Sequence, residues 1–272
     1  MGDMMETGEK IGILHENLSY VIVGAAMDVH NKLGPGWDEE AYHNALLLAL
    51  TTKGIKTESK RRGYLRHRDL DTDVFELDIL VEGKIILELK HLVAPFAPAH
   101  YLQLINYLKY WNLDLGLLIN FGLDKLQYKR IPFTPVSSDI VFSGPWDAYR
   151  QSHFETASTL ESIARAVFDS HGLGYSSNIY KNLFKAECDF RQVTIDPPLV
   201  KLVYDNVALG PKRMDAFCMD GHTLLLITAL GEGSSAVDLR HMISYLHQAG
   251  LSRGVIANYG NSHLNLKLVT IS

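Results

Sequence analysis

Apolar positions in the first half of the chain follow a helical rhythm, then an extended one. From Leu18 to Lys32 the residues Ile22, Ala25, Ala26 and Val29, continued by Leu33, recur at the spacing of one helix face, and Gly34-Pro35-Gly36 stops the run. Asp38 to Lys53 predicts a second helix, with acids in its first turn, an apolar stripe of Ala41, Ala45, Leu48 and Ala49, and Gly54 just past its end. Extended runs follow near Ile55–Arg62, at Phe75–Val81 and at Ile85–Leu89, the last two around Glu82-Gly83-Lys84. Ala99–Trp111 predicts a helix and Leu115–Phe121 a buried strand. Helix, helix, strands, helix, strand is the order of an α/β (α+β) mixed sheet flanked by helices.

The second half tracks the same order. Gln103-Leu-Ile-Asn-Tyr107-Leu108 and Gly116-Leu-Leu-Ile-Asn120-Phe121-Gly122 recur, at one offset, as His241-Met-Ile-Ser-Tyr245-Leu246 and Gly254-Val-Ile-Ala-Asn258-Tyr259-Gly260. Upstream, Gly36-Trp-Asp-Glu39-Glu-Ala-Tyr42 is echoed by Gly174-Tyr-Ser-Ser177-Asn-Ile-Tyr180, Asp28-Val-His30 by Asp169-Ser-His171, and Leu77-Asp78 by Met214-Asp215. Two copies are too few for a solenoid, so the expectation is two similar domains in tandem, a fused pseudo-dimer. The helices of the second copy are expected at Glu161–Ser170, Ser177–Cys188 and Leu239–Gln248, and its strands at Arg213–Cys218, Thr223–Leu230 and Gly254–Tyr259. Pro132, Pro135 and Pro145, with Ser and Gly between them, give the intervening stretch a linker composition. The expected division is 1–135, a linker over 136–157, and 158–272.

Composition narrows the class. At 272 residues the chain has room for two domains. A net charge of −5 neither demands nor forbids a nucleic-acid substrate. Two cysteines outside any C-x-x-C pair argue against a zinc site or a disulfide framework. No apolar run nears the roughly 20 residues of a membrane span, and the polar Met1–Lys10 does not read as a secretory signal. No membrane partner and a cytoplasmic location are the expectation.

The chemistry concentrates in Ile85-Ile-Leu-Glu88-Leu-Lys90. Two charges at alternating positions share one face of a strand that is otherwise apolar, and a buried charge is costly unless paired or metal-bound. Asp78 lies on the preceding extended run. A two-residue turn would send Glu88 to the face opposite Asp78; a three-residue Glu82-Gly83-Lys84 loop would set the two acids side by side. In that register the acids suit a hard cation with oxygen ligands, and Lys90 a phosphate and its attacking water. A strand-end ion pair of Glu88 with Lys90, with Asp78 solvated, is the alternative.

Around these residues the first copy resembles the GxxExxY protein family, a branch of the PD-(D/E)XK nuclease superfamily. The resemblance covers roughly residues 16–131. It rests on Gly36-Trp-Asp-Glu39-Glu-Ala-Tyr42 and its approach Asp28-Val-His30-Asn-Lys-Leu33-Gly34-Pro-Gly36, on Glu88-Leu-Lys90 and Gln103-Leu-Ile-Asn-Tyr107-Leu108-Lys109, and on Gly116–Gly122 and Lys129-Arg130-Ile131. It implies a restriction-endonuclease-like core and a divalent ion, Mg²⁺ or Mn²⁺, on Asp78, Glu88 and the Leu89 carbonyl. It also implies that Lys90 acts in catalysis, that Glu39 faces the metal, directly or through water, and that Gln103 faces the site from the next helix. The superfamily's proline is replaced by Leu77. Glu39 can also be read as a helix N-terminal acid, His30 as a packing or capping group, Tyr42 and Tyr107 as core aromatics, and Gln103 as a loop tie.

At the corresponding places the second copy carries Ser177 for Glu39, His241 for Gln103, Asp215 for Asp78, and Leu225-Leu226-Ile227-Thr228 where Glu-x-Lys would stand. It is expected to fold alike and lack the chemistry. Lys60, Arg61, Arg62, Arg66 and Arg68 read either as a phosphate-binding edge or as a charged guard on a hairpin edge. The primary expectation is a metal-dependent nuclease acting on nucleic acid, DNA first, with a catalytic first copy and an inactive second one; assembly as a homodimer or into a larger complex is left open. The alternatives are a catalytically dead binding or assembly module, and a subunit active only in a complex.

Overall fold

The computed structural model describes residues 13–136, 139–231 and 234–271; the Met1–Lys10 stretch lies outside the described residues. In chain order, α1 (Glu16–Leu33) and α2 (Glu39–Thr52) precede strand β1 (Thr57–Ser59) and a hairpin of β2 (Arg62–His67) and β3 (Leu70–Glu76). A second hairpin, β4 (Ile79–Val81) and β5 (Ile85–Lys90), leads to α3 (Pro98–Trp111), β6 (Leu115–Asn120) and β7 (Gln127–Pro132). There follow β8 (Ile140–Ser143), α4 (Trp146–Ser152), α5 (Phe154–His171), α6 (Ser177–Phe190), β9 (Ile195–Asp196), and a hairpin of β10 (Leu199–Tyr204) and β11 (Val207–Arg213). The chain closes with β12 (Phe217–Met219), β13 (Thr223–Ala229), α7 (Ala236–Ala249), β14 (Arg253–Tyr259) and β15 (Leu264–Thr270). The result is a mixed α/β fold.

Two compact units result. One comprises the chain up to Arg61 with Glu76–Thr134, the other Arg62–Phe75 with the chain from Pro135 on. The β2–β3 hairpin therefore counts with the second unit, although it interrupts the first in sequence.

The first unit holds a five-stranded sheet in the order β1-β4-β5-β6-β7, with β5 and β6 parallel and the remaining pairs antiparallel. Ile85, Leu87 and Leu89 of β5 join Leu115, Leu117 and Ile119 of β6 in one core with Ile22, Ala25 and Val29 of α1 and Tyr42, Leu46 and Leu50 of α2. The alternate positions, Glu88 and Lys90 among them, face the other side of the sheet. There α3 approaches β6 closely because Gly116 has no side chain: a Cβ at that position would lie 2.6 Å from Leu104 Cδ1. Pro98 opens α3, where a missing N–H costs nothing.

The second unit repeats this order around the six-stranded sheet β8-β15-β14-β13-β12-β9. Local bonds repeat as well. Tyr42 Oη donates to the Gly34 carbonyl at 2.7 Å, and Tyr180 Oη to the Gly172 carbonyl at 2.6 Å. Tyr42 stacks on Phe121 with centroids 4.7 Å apart, and Tyr180 on Tyr259 at 3.9 Å. The amide of Leu77 donates to Arg61 O, that of Met214 to Pro198 O. Tyr42 is the core aromatic that the sequence suggests.

Three expectations need correction. The stretch 136–157 contains β8, paired in parallel with β15, and α4, whose Trp146 and Tyr149 are buried; its prolines and glycines bound short elements rather than mark a free linker. Asp169-Ser-His171 does not match Asp28-Val-His30, because α1 and α5 end at Leu33 and His171, each followed by the glycine that receives the tyrosine hydroxyl. The Phe75–Val81 run divides between β3 and β4, because Leu77-Asp78 leaves the ladder.

Candidate active site

The first unit carries the acids and lysine that the sequence singles out, and the hairpin register brings them together. Ile79 pairs with Leu87, Leu80 with Ile86 and Val81 with Ile85, which leaves a three-residue loop at Glu82-Gly83-Lys84. Glu82 and Gly83 both take left-handed φ, 51° and 64°, and Lys84 N closes the turn on Val81 O at 2.9 Å. Extended by one pair, that register sets Asp78 opposite Glu88, on one face. Asp78 stands just before β4, and its Oδ2 accepts the Leu89 amide at 2.8 Å, so the carboxylate caps the end of the ladder.

Both acids are buried, Asp78 with 5% and Glu88 with 2% of its surface exposed. Each has a lysine. Lys90 Nζ donates to Glu88 Oε1 at 2.6 Å, and Lys60 Nζ to Asp78 Oδ1 at 2.5 Å. Among the described residues, Glu88 Oε2 is buried with no hydrogen-bond partner. An unpartnered carboxylate oxygen costs free energy. Burial above all, and then the charge of Asp78, push the Glu88 carboxyl up to about 7 against the pull of Lys90. For Lys60, burial acts downward, but the hydrogen bond and charge of Asp78 prevail and raise its pKa.

Helix α2 delivers Glu39. Asp38 caps its N-terminus by accepting the Ala41 amide at 2.9 Å, which fixes Glu39 as the first helical residue. Burial raises the Glu39 carboxyl; Lys90 acts against this and Asp78 adds to it, so all three belong to one electrostatic group. On α3, Gln103 Nε2 donates to Tyr107 Oη at 3.0 Å, and burial, then the charge of Glu88, raise the Tyr107 hydroxyl to about 12. His43, whose Nε2 lies 2.8 Å from Ser59 Oγ, is lowered by burial and then by Lys60.

The basic cluster expected as one edge is dispersed. Lys60 joins the acids. Arg61 pairs with Glu58 at 3.4 Å, Arg66 with Asp71 at 2.5 Å, and Arg68 donates two hydrogen bonds to Glu187. Arg62 and Arg66 lie on β2, counted with the second unit. His30 Nε2 donates to Leu123 O, 2.8 Å away, and serves packing. Sequence reading offers Lys60 as a phosphate contact but not as the partner of Asp78, and it misses the His43–Ser59 pair. Lys60 stands in a basic run, which signals a surface rather than a partner for Asp78.

The donor set suits a hard divalent cation in part. Two buried carboxylates with one unsatisfied oxygen are the right chemistry. Among the described residues, no group of three His, Cys, Asp or Glu side chains is set to hold a metal, so Glu39 does not complete a direct triad with Asp78 and Glu88. Further ligands would be backbone oxygen and water. The Lys90 carbonyl accepts from Phe121 N on the β6 side. Because backbone groups alternate along a strand, the Leu89 carbonyl faces the other way, toward Asp78.

Residues 16–131 match the family model of the PD-(D/E)XK nuclease superfamily. The superfamily match takes in Glu39, Lys60, Asp78, Glu88, Lys90 and Gln103, and stops before the second unit's sheet begins. No curated protein matches the chain. A solved structure titled "Crystal structure of SSO0001" is similar at 14% identity over 58% of this chain and 95% of that one, with a TM-score of 0.28, a likeness that carries no argument.

The second unit differs at the positions that matter for PD-(D/E)XK chemistry. Parallel pairing aligns Leu226 with Ile256 and Thr228 with Asn258, as Glu88 aligns with Leu118 and Lys90 with Asn120. Leu226 therefore stands for Glu88 and Thr228 for Lys90. Asp215 does not keep Asp78's buried place: its side chain is 72% exposed and pairs with Lys181, while Ala216 is buried beside β12.

Proposed function

We propose that the chain is a divalent-metal-dependent nuclease whose first unit is catalytic and whose second unit is a duplicated, disarmed copy. The observation that carries this reading is the unpartnered Glu88 Oε2 beside Asp78, within a span that matches the PD-(D/E)XK superfamily. Asp78, Glu88 and the Leu89 carbonyl would hold Mg²⁺ or Mn²⁺, and Glu39 would reach it through water. A bound divalent ion would polarise a phosphodiester and lower the pKa of a water.

The chain's own groups do the rest. Lys90 and Lys60 place two ammonium donors at the carboxylate pair, where they stabilise the charge that builds on a phosphate during attack. Gln103, oriented by Tyr107, presents an amide from α3. The substrate is nucleic acid, and DNA is the first to test. Arg61, Arg62 and Arg66 already meet carboxylates or other groups, so the phosphate contacts are assigned chiefly to the two lysines. The shared GxxExxY pattern is read as structural at Tyr42 and functional at Glu39. The pairing of each acid with a lysine carries a second reading, a charge-balanced cluster that only supports the fold.

Calorimetric titration with Mn²⁺, and a cleavage assay on plasmid and single-stranded DNA, separate the two. The expected result is one Mn²⁺ bound per chain, abolished in Glu88→Gln, and cleavage reduced at least about a hundredfold in Lys90→Ala. Equal cleavage by wild type and Lys90→Ala, or undiminished Mn²⁺ binding in Glu88→Gln, would sink the proposal.

A further inference from the structure

Two apolar surfaces on this chain have equivalents that are already occupied, and the occupied pair shows what should cover them. In the second unit the β2–β3 hairpin lies on the α5–α6 face. His67 Nδ1 is 2.9 Å from His171 Nε2, Phe75 stacks on Tyr175 with centroids 6.2 Å apart, and Asn182 donates to Asp73. His67 and Arg68 close on the fully buried Glu187, which Arg191 also grips.

The first unit has the same α1–α2 face with different residues. Helix ends and tyrosine anchors align His171 with Leu33, Tyr175 with Trp37, Ala186 with Leu48, and Arg191 with Lys53. Ala186 is buried, whereas Leu48 is 70% exposed and Trp37 56%. The second unit in turn has the same kind of hairpin, β10–β11, aligned with β2–β3 through the matching amides of Leu77 and Met214. Its tip carries Val203, Tyr204, Val207 and Leu209, all exposed, Tyr204 at 69%. Tyr204 stands for the buried His67 and Asp205 for Arg68. Exposed apolar hairpins and patches of this kind mark association surfaces.

We infer that the β10–β11 hairpin docks on the α1–α2 face of a second copy of this chain, as β2–β3 docks on α5–α6. The inference rests on reading the second unit as a duplicate of the first. Among the described residues of one chain both surfaces stay open, and their chemistry is complementary. Tyr204 supplies an aromatic for Leu33, Trp37 and Leu48, and Asp205 brings a carboxylate to Lys53. Where Arg68 and Arg191 clasp Glu187 in the occupied pair, an acid and a base would meet directly across the contact. Each copy offers one hairpin and one face, so the association closes as a dimer or a small ring, or propagates as a filament.

Sedimentation velocity of the full chain over a range of concentrations tests this. Wild type is expected to self-associate, and Leu48→Glu and Tyr204→Ser each to weaken association by about tenfold or more. Lys53→Glu and Asp205→Lys should each weaken it alone, and the double variant should recover it. A wild type that stays monomeric throughout, or association untouched by all four variants, overturns the inference. Mn²⁺ titration of the same samples reports on the nuclease reading separately: a monomer that binds Mn²⁺ through Glu88 removes the docking and leaves the active site standing.

Discussion

Asn120 is fully buried at the end of β6, and its side-chain amide is used up on the segment that leaves β5. Its Oδ1 accepts from Leu92 N at 2.8 Å and Gly122 N at 3.0 Å, and its Nδ2 donates to the carbonyls of Leu92 and Ala94. The chain just past Lys90 is thereby bound to the neighbouring strand, which holds the lysine's backbone in place. Gly122 belongs to the same contact. A Cβ there would lie 2.6 Å from both Leu92 N and Leu92 O, and backbone cannot swing away as a side-chain tip can. Gly122→Ala should therefore destabilise the protein by about 1–3 kcal/mol, in the range for overpacking, read as a lower urea midpoint. Gly116→Ala meets the Leu104 side chain instead, and should cost less. An unchanged midpoint in Gly122→Ala would mean that Leu92 does not pack against it.

Among the elements, the β2–β3 hairpin depends on one buried carboxylate. Burial alone would raise the Glu187 carboxyl, but hydrogen bonds from Arg68, Arg191 and His67 outweigh that and bring it down to about 2. A carboxyl held below its ordinary value of 4.5 contributes stability that is fully present above pH 4.5 and is lost as the pH falls towards 2. Glu187→Gln leaves Arg68 and Arg191 without their counter-charge. It is expected to lower stability near neutrality by about 1–3 kcal/mol, since both arginines stay about a third exposed, and to flatten the acid limb of the stability curve between pH 4.5 and 2. Chemical denaturation at a series of pH values measures both, and an acid limb as steep as that of wild type would remove Glu187 from the account. Hydrogen exchange should show β2 and β3 losing protection first in this variant.

Over the whole molecule, the proposed duplication leaves the two units with different chemistry. The first retains Asp78, Glu88 and Lys90; the second presents Leu226, Thr228 and an exposed Asp215 paired with Lys181. A single exposed acid opposite an apolar strand is a poor cation site. Asp215→Ala is accordingly expected to leave metal-dependent cleavage within about twofold of wild type, while Asp78→Ala abolishes it. Equal losses in the two variants would mean that the second unit takes part in the reaction. No helix among the described residues is long and apolar enough to cross a membrane.

What could be read from the chain alone is what local periodicity encodes. The 3.6-residue rhythm of Ile22, Ala25, Ala26 and Val29, the acids at the start of the Asp38–Lys53 run with Gly54 past its end, and the alternation through Ile85–Lys90 locate α1, α2 and β5 to within about two residues. The length of the Glu82-Gly83-Lys84 loop already narrowed the register of the acids to two choices, one of which the strand pairing selects. Short amphipathic segments such as β8 and α4 gave too weak a rhythm to outweigh their prolines. Only the tertiary structure could decide that Lys60 answers Asp78, that Arg68 is spent on Glu187, and that Asp215 turns outward. Each depends on residues far apart in sequence meeting through the packing of other elements. Charge and spacing along a chain say which partners a side chain could satisfy; burial in a folded sheet determines which one it does.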